Sequence, residues 1–180
     1  MMKRAEKPLT ASSLPSDQPS LTEINNVPAQ SGHVIILDME LKIKAFEELT
    51  VYELYMILKA RCDVFIVEQK CPYPDIDGID PESIHLFYEQ DGKILACLRL
   101  FYKEDGIVQI GRVLTVQRGT GLGGRLLHEG VAYAENVMNA KRMYLEAQTY
   151  AVGFYEKEGF RVVSEPFDED GIPHVKMIRE

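Results

Sequence analysis

The residues best suited to chemistry are Gly119-Thr120-Gly121-Leu122-Gly123-Gly124, a run between an apolar stretch, Ile107 to Val116, and a helical pattern reaching Met138. Glycines at such a place let successive backbone N–H groups converge on phosphate oxygens at a helix start, where the unpaired N–H groups and the helix dipole both favour negative charge. The dipole contributes only about 0.3–1 kcal/mol, so affinity has to come from direct N–H bonds and from the rest of the ligand. A nucleoside-triphosphate loop would continue with Lys-Ser or Lys-Thr, whereas Gly124 is followed by Arg125-Leu126. A dinucleotide is harder to set aside, because Gly119, Gly121 and Gly124 fit G-x-G-x-x-G and Glu146 stands close to the ribose-binding position. Too little chain follows Glu146 for the second half of a doubly wound sheet, and the upstream strands read as antiparallel hairpins.

The elements that must position this loop follow from periodicity. Leu41 to Phe46 alternates as a half-buried strand, and Thr50-Val51-Tyr52-Glu53 is a capping box that opens a helix. Leu54, Leu58, Arg61 or Cys62, and Phe65 return at helical spacing, which predicts the face that packs on a sheet. Cys71-Pro72-Tyr73-Pro74-Asp75-Ile76-Asp77-Gly78 has to be a loop, long enough to be functional. Three strands joined by two tight turns follow, over His85–Gln90, Ile94–Tyr102 and Ile107–Val116. After the glycine run come a helix, a strand at Met143–Leu145 reached by crossover, and a helix Ala151–Glu158 stopped by Gly159. Arg161–Val163 and Val175–Ile178 close the sheet.

With 180 residues, 46% of them hydrophobic, the chain can bury one sizeable core. A net charge of −8 argues against wide nucleic-acid binding and favours a cationic partner. Cys62, Cys71 and Cys97 form no C-x-x-C pair, so a reduced, cytoplasmic chain is expected. No apolar run approaches bilayer length, which predicts no membrane association. Residues 1–33, rich in Ser, Pro, Thr and Asn, read as a flexible extension without targeting character, and residues 34–180 as the folded domain. His85 and His174 lack metal-ligand spacing, so no metal is expected.

Arg118-Gly119-Thr120-Gly121-Leu122-Gly123 also matches R-x-x-G-x-G, and Ala147-Gln148 and Phe154-Tyr155-Glu156-Lys157-Glu158-Gly159-Phe160 follow in order. This pairing resembles the GNAT acyltransferases. Further residues resemble the ElaA-like subgroup of that family: Arg61, Val64 to Gln69, Cys71-Pro72-Tyr73, Asp77-Gly78, Asp80, His85, Gly111-Arg112-Val113 and Glu169 to His174. The resemblance runs from about Leu41 to Arg179. It implies a single α+β domain with a mixed, mostly antiparallel sheet of about seven strands flanked by helices. That sheet would be splayed between the strand ending near Val116 and the strand at Arg142–Ala147.

The same resemblance implies acetyl-CoA as co-substrate, held by Val113, Arg118, Gly119, Thr120, Gly121, Leu122, Gly123, Gly124 and Gln148. A backbone N–H near Val113 would hold the thioester carbonyl. Tyr155 would be the general acid for the departing thiolate; its alternative role is ring packing in the core. A lysine-like acceptor amine is neutral about once in two thousand at pH 7, a cost of about 4.5 kcal/mol, so a base is needed. The strand Ile107–Val116 carries no carboxylate, which leaves Glu68, His85, Glu146 and His174 as candidates. Arg61, Asp77 and Asp80 would line the acceptor pocket, although Asp75, Asp77, Asp80 and Glu82 also suit a solvated loop, and Arg61 a structural pair with Glu68 or Asp77. The expected function is transfer of an acetyl group to a primary amine of a small molecule or peptide by direct attack. An acyl-CoA sensor without turnover is the alternative, and a homodimer is left open.

Overall fold

The structure, a computed structural model, describes residues 39–104 and 106–180. The extension expected over residues 1–33 and the segment Val34–Leu37 lie outside the described residues. Eight strands form one sheet, in the order β1-β2-β3-β4-β5-β8-β6 with β7 also paired to β8. They are β1 (Glu40–Ala45), β2 (Ile84–Gln90), β3 (Lys93–Glu104), β4 (Ile107–Thr115), β5 (Arg142–Gln148), β6 (Arg161–Val162), β7 (Phe167–Glu169) and β8 (Ile172–Arg179). The count exceeds the expected seven by β7. That strand exists because Asp170 and Gly171, both at positive φ (53° and 82°), close a hairpin onto β8. Asp91 and Gly92 close β2 onto β3 in the same way, with φ of 51° and 72°.

Helix α1 (Val51–Arg61) starts at the expected capping box: Glu53 N–H donates to Thr50 Oγ1 and Thr50 N–H donates to Glu53 Oε2. It runs on as a wider π-type helix, Cys62–Glu68. Of the face expected from periodicity Arg61 is buried, but Leu54, Leu58 and Phe65 are only partly so, and the other buried positions are Glu53, Ile57, Ala60 and Val64. On this face Ile57, Ala60 and Val64 pack on the sheet, and the Glu53 carboxylate accepts from Lys42 and Lys44 of β1.

Helix α2 (Leu122–Asn136) covers the opposite face of the sheet. Its Leu122, Leu126, Leu127, Val131 and Ala134 join Leu86, Leu98, Leu100, Val108, Ile110, Leu145 and Met177 in the main core. Gly130 permits the close approach, since a Cβ there would lie 3.0 Å from Leu98 Cδ2. On the α1 side a smaller core joins Ile57, Ala60 and Val64 to Phe87, Ile94, Cys97 and Leu114. The last helix is shorter than expected, a 3₁₀ turn Thr149–Ala151 followed by α3 (Val152–Glu156). Gly159, at φ 84°, turns the chain so that Phe160 N–H donates to Tyr155 O and the buried Phe160 ring stands edge-on to Tyr155. Among the described residues no helix is long and apolar enough to cross a membrane.

Candidate active site

β4 and β5 run parallel and pair only through Ile107–Arg142, Val108–Met143 and Gln109–Tyr144. Beyond Gln109 and Tyr144 both strands continue without each other, β4 to Thr115 and β5 to Gln148. The sheet is therefore open where the sequence motifs converge.

β4 also carries a bulge. Cys97 faces Leu114 and Arg99 faces Gly111, so β4 holds one residue more than β3 between these pairs, and Arg112 sits at φ 54°. The bulge inverts the alternation: Val108 and Ile110 pack on the α2 side, whereas Leu114 packs on the α1 side and Val113 returns to the α2 side. A residue in a bulge leaves backbone groups out of the ladder, which suits Val113 and its neighbours to the N–H role expected of them.

A cleft of about 980 Å³ fills the opening. Gly123, Phe154 and Tyr155 line it from the α2 and α3 side, and Phe101, Gln109, Glu146 and His174 from the other. Walls from both faces can share one cavity only because the sheet is parted there. The cleft also reaches Val113, Arg118, Gln148 and Asp77.

At one end lies the glycine loop. Gly119 and Gly121 adopt φ of 78° and 79°, and nothing lies within 4 Å of where their Cβ atoms would be, so conformation rather than crowding selects glycine. Gly123 is different, because its Cβ would meet Thr115 Cγ2 at 3.1 Å. Thr120 Oγ1 accepts from Leu122 N–H at 3.4 Å, and the first helical bond is Arg125 N–H to Gly121 O. The amides of Gly123 and Gly124 thus precede the helical ladder and are available to an anion.

Tyr155 meets the cleft with its ring edge-on to Phe154 (centroids 5.0 Å apart). Burial, and next the nearby Tyr150, push its phenol above the ordinary value, so it stays protonated. On the far wall His174, on β8 opposite Gln148, stacks on Phe167. Its Nδ1 lies 2.8 Å from Ile172 O. A carbonyl only accepts, so Nδ1 carries the hydrogen and Nε2 of the neutral ring is left as a proton acceptor. Glu169 Oε2 is 3.8 Å from the same Nδ1. Glu146 also lines the cleft and accepts a hydrogen bond from Tyr144 Oη at 2.6 Å.

Of the remaining expected site residues only Asp77 lines the cleft. His85 is 2% exposed and does not line the cleft; its Nε2 lies 3.0 Å from Asp80 O, and burial lowers its basicity. Arg61, 1% exposed, lies behind the wall and bonds Asp75 Oδ2 (2.8 Å), Asp80 Oδ1 (2.6 Å) and Asp75 O (2.8 Å). Asp80 is buried with it. Asp77 reaches the cleft, but both its oxygens accept from Arg99, at 2.8 and 2.5 Å, and Oδ2 also accepts from Arg112 at 3.0 Å. Burial alone would raise the Asp77 carboxyl, yet Arg99, the Ile79 N–H and Arg112 hold it far below the usual carboxylate range. Much of the acidic loop is exposed, Glu82 included, but Asp75 and Asp80 are buried and all three aspartates, Asp77 among them, are neutralised by Arg61, Arg99 and Arg112. A signal for this was present, because Arg99 stands between Leu98 and Leu100 in a strand buried on both sides, and such an arginine needs buried acidic partners. Glu68 is half exposed and pairs with Arg118 at 2.5 Å, beside the glycine loop rather than beside the far wall.

A family model described as acetyltransferase (GNAT) domain matches residues 56–180. The protein ElaA of Escherichia coli is 39% identical over 139 residues, which span 74% of this chain and 91% of that protein. In structure, an acyl-CoA N-acyltransferase from Pseudomonas aeruginosa superimposes with a TM-score of 0.75 at 40% identity, covering 79% of this chain and 100% of that one. The crystal structure of E. coli ElaA gives 0.74 at 36% identity, covering 79% and 99%. With the parted strands and the glycine loop in place, these likenesses make the chain a member of the GNAT acetyltransferase family, of the ElaA-like kind.

Proposed function

We propose that the chain is an acetyl-CoA-dependent N-acetyltransferase that acts on a primary amine of a small molecule or peptide by direct attack. The observation that carries this reading is the cleft through the sheet, with the glycine loop and Tyr155 on one side and His174 on the other. The residues fit the cofactor. The positive-φ glycines and the free amides at the start of α2 suit a diphosphate, and the unpaired backbone edges of β4 and β5 beyond Gln109 and Tyr144 suit an extended amide arm.

Bound acetyl-CoA would supply an acetyl group activated as a thioester. The bulged backbone near Val113 would donate an N–H to the negative charge developing on the carbonyl oxygen. Tyr155 would donate to the departing sulfur. Burial holds the Tyr155 phenol above its ordinary value, so full proton transfer to the thiolate is uphill and the phenol serves chiefly as a hydrogen-bond donor until solvent completes the transfer. His174 Nε2 would take the proton from the amine, with Glu169 steadying the imidazolium and Glu146 attracting the cationic acceptor. The net charge of −8 favours the approach of that acceptor. The three free cysteines suit a reducing compartment, which we take to be the cytoplasm.

The relatives lend no support to a sensor without turnover. The test is thiol release from acetyl-CoA in the presence of polyamines, amino acids, aminoglycosides and peptides, with mass spectrometry of the products. Acetylated product from one class is the expected result, and tight coenzyme A binding without turnover on any of them would overturn catalysis.

A further inference from the structure

The last residue of the widened helix, Glu68, and the residue that follows it, Gln69, reach across the parted strands. Glu68 pairs with Arg118, just beyond β4, at 2.5 Å. Gln69 and Gln148, at the end of β5, exchange two amide hydrogen bonds: Gln69 Nε2 donates to Gln148 Oε1 (3.1 Å) and Gln148 Nε2 donates to Gln69 Oε1 (3.2 Å). Gln69 Nε2 also lies 3.4 Å from Tyr150 Oη. One short segment of chain is thus tied to both arms of the opening, and it is tied to two residues that stand where the cofactor would lie.

We propose that Glu68 and Gln69 form a clasp over the acyl-CoA groove, in which the Glu68 carboxylate holds the Arg118 guanidinium in place of a ligand phosphate. This rests on the acyl-CoA reading above. Arg118 and Glu68 are 62% and 50% exposed, so the pair is weak and exchanges readily. A diphosphate offers more charge and a bidentate partner, and displaces the carboxylate. The Gln69–Gln148 amide pair can likewise be exchanged for amides of the cofactor arm at little net cost. Glu68 therefore sets how tightly the phosphate end is held and how fast it leaves, without taking part in the acetyl transfer. The widened turn brings this about, because it carries Glu68 and Gln69 over the opening.

The experiment is calorimetric titration of the full chain with coenzyme A, comparing wild type, Glu68→Gln, Glu68→Lys and, as a charge control, Glu47→Gln on the exposed turn after β1. Glu68→Gln is expected to tighten binding about two- to fivefold, the range an exposed ion pair allows. Glu68→Lys should tighten it further, and Glu47→Gln should leave it unchanged. Pantetheine, which has no phosphate, followed by protein-observed NMR, should not gain affinity in Glu68→Gln. Unchanged or weaker coenzyme A binding in both Glu68 variants, or an equal gain in Glu47→Gln or for pantetheine, overturns the clasp while leaving the functional reading intact. Absence of binding to all four proteins overturns both.

Discussion

Gln109 and Tyr144 are the last residues to face each other across β4 and β5. Past this pair the strands diverge, and the groups proposed for chemistry gather around the gap from opposite faces of the sheet. Tyr144 also fixes Glu146 one step further along β5 through its 2.6 Å hydrogen bond.

Replacing Tyr155 by Phe removes the donor to the departing sulfur while keeping the ring contacts with Phe154 and Phe160. The expected outcome is a fall in kcat of about 10–100-fold with the KM for acetyl-CoA little changed, measured by steady-state kinetics. Turnover equal to wild type would remove Tyr155 from the mechanism.

His174→Ala should lower kcat/KM at neutral pH by about 10²–10⁴-fold. The deficit should shrink as pH approaches the ~10.4 of a lysine-like amine, where the acceptor loses its own proton. A rate–pH profile of both proteins with one acceptor checks this. An undiminished neutral-pH rate would transfer the role of base to Glu146.

Arg61→Ala would leave Asp75 and Asp80 as buried carboxylates stripped of their main partner. Breaking a buried pair in this way costs about 3–5 kcal/mol, read by urea denaturation. Since Arg61 stands behind the cleft wall, the folded fraction should keep its affinity for coenzyme A. Lost affinity in a fully folded variant would return Arg61 to the binding site.

Stability should fall in acid. Burial would raise the Glu53 carboxyl, but hydrogen bonds from Lys44, the Thr50 N–H and Lys42 outweigh it and hold the group at about 2 instead of 4.5. A lowered folded value means that the unfolded chain binds more protons between these limits, so the contribution is complete above pH 4.5 and is lost as pH falls toward 2. Asp77 and Asp80, both also lowered, act in the same direction. Thermal melts across this range should show a shallower slope in Glu53→Gln than in wild type. An identical slope would show that the carboxylate gains nothing from the two lysines.

Much of the architecture was legible in the residues themselves. Alternation and the turn residues define the β2–β3 and β3–β4 hairpins, Thr50 and Glu53 start α1, and Gly119 and Gly121 prepare the start of α2, because each of these signals acts through local backbone sterics or hydrogen bonds within a few residues; the β7–β8 hairpin was missed although Asp170-Gly171 carries the same signal. The parted strands were implied by the family resemblance, since the motifs on both sides of α2 stood in the right order. The phase of α1 was misread because two apolar stripes compete along it, and the one through Ile57, Ala60 and Val64 meets Phe87, Ile94, Cys97 and Leu114 of distant strands, while Lys42 and Lys44 of β1 take up Glu53 on the same face. The bulge at Arg112 was missed although Gly111 beside it, a glycine inside a strand, is a residue that often marks one.

What only the tertiary structure decided is which charged groups are free to act. Sequence places Asp77, Asp80, Arg61, Glu68, His85 and His174 in one set of candidates, but ionisable groups are sorted by the partners and burial that distant segments bring to them. Arg99 and Arg112 quench Asp77, Arg61 and Asp80 close each other off behind the wall, Arg118 occupies Glu68, and His85 sinks below the cleft. The carbonyl of Ile172 takes up Nδ1 of His174 and leaves Nε2 without a partner among the described residues. Side-chain chemistry is written in the sequence; its availability depends on charge neutralisation across the fold.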